Sequence, residues 1–193
     1  MADATAKDVI DFWFSDRDET GAFVFRKAWF EKDSAFDETI RQKFGSLYRS
    51  AATRALDGWR GAPRTALALV VVLDQFSRNM FRDDPAMYEA DDYAVEVATG
   101  AIEQDHHLAF PLIQKWFFYM PLMHSENLAH QDACVRLFQE LPDSETVARG
   151  REAAQQHRDI VARFGRFPHR NSILDRPTTE EEAAFLLEPN SSF

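Results

Sequence analysis

The stretch Arg64–Phe81, RTALALVVVLDQFSRNMF, decides the fold. From Ala66 to Leu73 it is apolar on every face. A helix without a polar stripe is one buried on all sides. A strand is the competing reading of LALVVVL, because Val is β-branched. The long continuation without turn residues favours a helix. Its second half, LDQFSRNMFR (Leu73–Arg82), adds Asp74, Gln75, Arg78, Asn79 and Arg82. On a helix Asp74 and Arg78 lie one turn apart, as do Gln75 and Asn79, and Arg78 and Arg82. A buried donor or acceptor without a partner costs about 1–3 kcal/mol, so these groups need company. One reading is a local Asp74–Arg78 ion pair. The other makes Arg78 and Arg82 an anion clamp, with Gln75 and Asn79 orienting the ligand.

Helical spacing extends outward from this segment over nearly the whole chain. Ala4–Phe14 reads as a first helix with Val9, Ile10, Trp13 and Phe14 at helical spacing, and Asp16–Gly21 as a polar turn. Asp33 is an N-cap for a helix to about Asp57, with Phe36, Ile40, Phe44, Leu47 and Ala51 on one stripe. Gly58, Gly61 and Pro63 mark its stop, and Asp83-Asp84-Pro85 starts a further helix to about Ile102. Phe110–Met120 and Ser125–Leu141 read as two helices split at Pro121, with Ser125 as a cap. Asp143 or Ser144 caps a helix to Phe164, ended by Gly165, and Thr178 or Thr179 starts a short last one. No strand alternation or hairpin signal occurs. The expectation is one all-α domain over residues 1–193, with about eight or nine helices.

A second polar run, FGRFPHRNS (Phe164–Ser172), uses the same alphabet of Phe, Arg and Asn. From His157 to Arg176 there are five Arg and two acids, a local net charge of +3 inside a chain of net charge −10. His157 shares a helical stripe with Ile160, Val161 and Phe164, the usual setting of a core histidine. Pro168 forces Phe167 out of helical geometry. His169, Arg170 and Asn171 therefore project from an irregular segment anchored by Phe164, Phe167 and Ile173. A third run, YMPLMHSENLAHQD, sets His124, Ser125 and Glu126 at a helix joint, where His124 and Glu126 suit a base and its orienter. The plainer reading gives Ser125 and Glu126 to capping.

Composition bounds the partners. An acidic chain repels nucleic acid and anionic membranes. The longest apolar run, Ala66–Leu73, is too short to span a bilayer, and no leader-like pattern occupies Met1–Phe14. Neither glycine-loop phosphate signature occurs, and one cysteine, Cys134, suits a reducing compartment. A soluble cytoplasmic protein is expected. Glu126, His130 and Cys134 share a helical face but match no strong zinc spacing, so no metal and no cofactor is expected.

LDQFSRNMFR, YMPLMHSENL, HRDIVARFGRFPHRNSILDR and the late TTEEEAAFL, with DFWF near the start and Trp29-Phe30, resemble the bacterial family known as domain of unknown function 924. The resemblance covers nearly the whole chain. Two positions depart from the family pattern, which usually has Pro at Ser77 and Gly at Asp175. It implies an all-helical fold of antiparallel pairs similar to tetratricopeptide-like superhelices, and no established activity. The family motifs fall on Asp74, Gln75, Arg78, Asn79 and Arg82, on His124 and Glu126, and on His157, Arg166, His169, Arg170 and Asn171.

The leading functional expectation is a binding protein. The two basic runs form one pocket, in which Arg78, Arg82, Arg166 and Arg170 hold an anionic small molecule or the acidic end of a peptide. A small hydrolase or transferase is the second reading, with His124 or His169 as general base and arginines stabilising negative charge. The third is a structural network in an interaction protein. A homo-oligomer is left open by all three.

Overall fold

The computed structural model describes residues 4–192. They are α-helical, with an isolated antiparallel bridge between Arg17 and Phe23 as the only β pairing among them. The chain forms two compact units: Met1–Arg82 with Ala86–Pro121, and Asp83–Pro85 with Leu122–Phe193. No helix among the described residues is long and apolar enough to cross a membrane.

In the first unit, α1 (Ala6–Trp13) opens with a capping box between Thr5 and Asp8. Helix α2 (Ser34–Ala52) starts at Asp33, whose Oδ1 accepts the Ala35 and Phe36 N–H groups at 3.0 and 3.1 Å. It ends short of the expected Asp57, because Arg54 turns left-handed at φ 63° and a 3₁₀ segment, Asp57–Gly61, follows. Proline opens α3 (Pro63–Val70), where its missing N–H costs nothing. The backbone then widens into a π-helical stretch, Val71–Phe76, and returns to α geometry in α4 (Ser77–Met80). Every residue from Ala66 to Ser77 is buried, as expected of a helix apolar on all faces.

The helix expected from Asp83 is divided. Pro85–Tyr88 is a 3₁₀ turn, and α5 (Asp91–Glu103) begins six residues after Pro85. Aromatic rings fill the core of this unit. Trp13 lies 5.7 Å from Trp29, 5.4 Å from Phe76 and 5.9 Å from Phe117, centroid to centroid. Large rings at such spacings contribute beyond their buried area.

Helix α6 (Leu112–His124) overturns the expected split, because it continues through Pro121. Proline inside a helix costs about 3 kcal/mol. Burial of Phe117, Phe118, Leu122 and Met123 on either side offsets that loss. The amide of Gln131 then takes the terminal carbonyls of Met123 and Ser125, both at 2.6 Å. The cap of α7 (Leu128–Gln139) is Asn127 rather than Ser125, with Asn127 Oδ1 accepting the Ala129 N–H at 2.9 Å.

In the second unit α7 packs on α8 (Glu145–Phe164), which Ser144 caps and Gly165 ends at φ 70°. The pair is antiparallel: Arg151 reaches the Phe138 carbonyl and Arg158 reaches Asp132. A short α9 (Glu180–Phe185) carries a Thr179–Glu182 capping box. Ile160, Val161, Phe167 and Phe185 form its apolar cluster, with Phe164 packed against them.

Candidate binding site

The polar end of the π segment and α4 is held by carboxylates from two other helices. Arg78 makes a bidentate pair with Asp91 of α5, both contacts 2.9 Å, and donates to the Asp74 carbonyl at 2.8 Å. The Asp74 carboxylate lies 3.1 Å from the same guanidinium and accepts from Gln75. Burial works against the charge on Arg78, and Asp74 and Asp91 outweigh it, so the group is held above its ordinary pKa. Asn79 donates to Asp37 of α2 at 2.7 Å, and Arg82 pairs with both oxygens of that carboxylate. Asp74, Gln75, Arg78, Asn79 and Arg82 are thus one network with Asp37 and Asp91.

The second unit gathers the other family residues around the segment after α8. Glu126 accepts the Phe167 N–H at 2.8 Å and both Arg176 nitrogens, at 2.7 and 3.0 Å. Burial pushes this carboxyl up, and the Arg176 and Phe167 donors bring it below the usual carboxylate range. Arg166 pairs with Glu182 at 2.6 and 2.8 Å, which holds that acid down to about 2. Asn171 bridges the two pairs: its amide oxygen accepts from Arg176 Nε at 3.1 Å and its nitrogen contacts Glu182 at 3.3 Å.

Arg170 occupies the interior of this cluster. It is 7 % exposed, donates to the His124 carbonyl at 2.8 Å, and stacks over the Phe167 ring at 4.5 Å. The His124 and His157 rings are 6.4 Å apart, and Phe167 stands 5.6 Å from both His157 and His169. Burial, then the neighbouring His124, pushes His157 down to about 3. Burial and the Arg170 charge push His169 down to about 4. Both imidazoles are neutral at physiological pH. His157 Nδ1 lies 2.8 Å from the Ala153 carbonyl, so it carries the proton and Nε2 keeps the lone pair.

Over residues 9–190 the chain matches the family described as "Bacterial protein of unknown function (DUF924)". The chain belongs to this family. A solved structure of a protein of unknown function from Agrobacterium tumefaciens is similar to it, with 41 % identity and a TM-score of 0.83. That similarity covers 94 % of this chain and 96 % of the other. No curated protein matches the chain.

Both departures from the DUF924 pattern have a place in the structure. Asp175, where the family usually has Gly, adopts φ 51°, the left-handed geometry that glycine enters without steric penalty. Ser77, where the family usually has Pro, donates its hydroxyl to the Leu73 carbonyl at 2.7 Å inside the π-to-α transition.

Sequence reasoning missed Asp37, Asp91 and Glu182 as partners. Asp37 carries the one available signal, an acid beside Phe36 on an otherwise apolar stripe. Of the face considered for metal, Glu126 turns to Arg176, His130 Nδ1 meets Ser125 Oγ at 2.9 Å, and Cys134 is buried with its thiol pKa pushed up by desolvation. Among the described residues, no three His, Cys, Asp or Glu side chains converge to hold a metal.

Proposed function

We propose that this DUF924 protein binds an anionic small molecule, or the acidic end of a peptide, at Arg170 among His124, His157 and His169. The setting of Arg170 carries the reading: a buried guanidinium, fixed by a carbonyl and an aromatic face, with histidines from α6, α8 and the following segment around it. Preorganised donors in a desolvated site favour a carboxylate or phosphate. His169, neutral at physiological pH, can add a ring donor there without further buried charge. In this reading Arg78, Arg82 and Arg166, each already paired with a carboxylate, hold helices together rather than ligand.

The hydrolase or transferase reading has weaker support. Glu126, the expected orienter, is engaged by Arg176 and the Phe167 N–H. A histidine titrating at about 4 is a poor general base near neutral pH.

A thermal-shift screen with citrate, succinate, inorganic phosphate, a sugar phosphate and a peptide ending in Asp-Glu tests the proposal. Saturation at about 100 times Kd adds about 2.7 kcal/mol, a rise of roughly 5–10 °C for a chain of this size. The rise is expected to vanish in Arg170→Gln and to persist in Arg149→Ala. No rise with any of the five, together with unmoved His124 and His169 ring resonances, overturns it.

A further inference from the structure

A cavity of about 210 Å³ opens within the first unit between α1, the Asp16–Val24 turn and the start of α6. Its apolar wall is Ile10, Phe14, Phe23 and Phe110. An apolar cavity of ~150 Å³ admits a benzene ring, so this one takes a ring or short chain with a small polar head.

Gln114 lines the same cavity, is 4 % exposed, and its side-chain amide makes no hydrogen bond within the described residues. An amide that lines a cavity and is not taken by the protein can donate to and accept from a ligand held there.

Charge at the cavity is arranged unevenly. Arg64 lies 3.2 Å from Asp11, which also accepts from Lys7, so the acid is answered twice. Arg17 has no carboxylate partner among the described residues. Its guanidinium rests 3.3 Å over the Phe23 ring and donates to the Gly21 carbonyl at 3.2 Å. The backbone bridge between Arg17 and Phe23 sets both side chains on one side of the turn. Gly21, at φ 83°, closes that turn.

We infer that this cavity binds a small apolar carboxylate. Its ring or chain packs among Ile10, Phe14, Phe23 and Phe110, and its carboxylate takes the Gln114 N–H and the Arg17 guanidinium. The site is built wholly from the first unit and shares no residue with the Arg170 cluster, so either can fail alone.

Phenylacetate and hexanoate are the probes, with phenylacetamide and phenethylamine as uncharged and cationic counterparts. Binding is read by calorimetry and by the Gln114 side-chain amide resonance. Both acids are expected to bind with Kd at or below about 1 mM and to move that resonance. Arg17→Gln, a change in an exposed turn, is expected to weaken binding about tenfold. Gln114→Leu, which removes an unpartnered group, is expected to fold and to lose the carboxylate preference. Arg170→Gln leaves phenylacetate binding unchanged. Three results overturn the inference: no response to either acid at about 10 mM, equal binding of phenylacetamide, or unchanged affinity in Arg17→Gln.

Discussion

The π segment with α4, and the segment that follows α8, spend the same residue types in different ways. On α4, Arg78 and Arg82 stand one turn apart, and each meets a carboxylate carried by another helix. Arg78 also takes the Asp74 carbonyl one turn back, and the side chains together tie α2 and α5 to the buried rod. After α8 the backbone is irregular, and its carbonyls and N–H groups join the network. Arg176 therefore bonds to Phe167 O as well as to Glu126 and Asn171, and Arg170 reaches the His124 carbonyl at the end of α6. On α4 both arginines pair with acids; after α8 Arg166 and Arg176 do the same, while Arg170 rests on a carbonyl and an aromatic face with imidazoles close by. A ligand is better accommodated in the second arrangement.

Three experiments break or sharpen this contrast. The largest effect is expected from Arg78→Met, which leaves Asp74 and Asp91 facing each other without their cation. Breaking a buried pair from one side costs about 3–5 kcal/mol, measured here by urea unfolding. A loss below about 1 kcal/mol would place this network among ordinary surface pairs.

Acid titration of stability is expected to single out the second unit. The folded pKa of His157 and His169 lies below the unfolded value of 6.5, so the unfolded chain binds more protons as pH falls. Stability is therefore lost from about pH 6.5 down to about 4 for His169 and about 3 for His157. Glu182 acts lower: its contribution is complete above 4.5 and is lost as pH falls toward about 2. The His157→Gln/His169→Gln variant is expected to flatten the upper limb by on the order of 2 kcal/mol and keep the lower one. An unchanged profile between pH 6.5 and 4 would mean that these imidazoles are not desolvated.

The smallest effect belongs to a pair outside both networks. Arg149 and Glu145 are an exposed i,i+4 couple, and Arg149→Ala is expected to change stability by less than about 0.5 kcal/mol. A larger loss would show that exposed pairs on α8 matter as much as the clustered ones.

What could be read in advance was what the chain decides locally. Asp33, Ser144, Gly165 and Thr179 end or begin helices through contacts within a few residues, and each stands where the pattern puts it. The Ala66–Leu73 run could be read because burial on all sides leaves a helix no polar stripe. Pro121 misled because its effect depends on packing around it, which outweighs a missing hydrogen bond. Asp37 and Asp91 stayed hidden because they pair with residues 45 and 13 positions away, through helix packing that no spacing rule reveals. Gln114 and Arg17 gave no signal at all, since a cavity is a property of what fails to touch.

The widened turn at Val71–Phe76 fixes which way the polar tail of that rod faces. Successive residues of an α-helix are rotated by ~100°, so the azimuth of everything downstream depends on how many residues the turn contains. Removing one would swing Arg78 from Asp91 and Asn79 from Asp37 while leaving composition almost unchanged. The segment is thus a phase setting: side-chain substitutions there are a matter of fit, whereas a change in length rewires the tie between three helices at once.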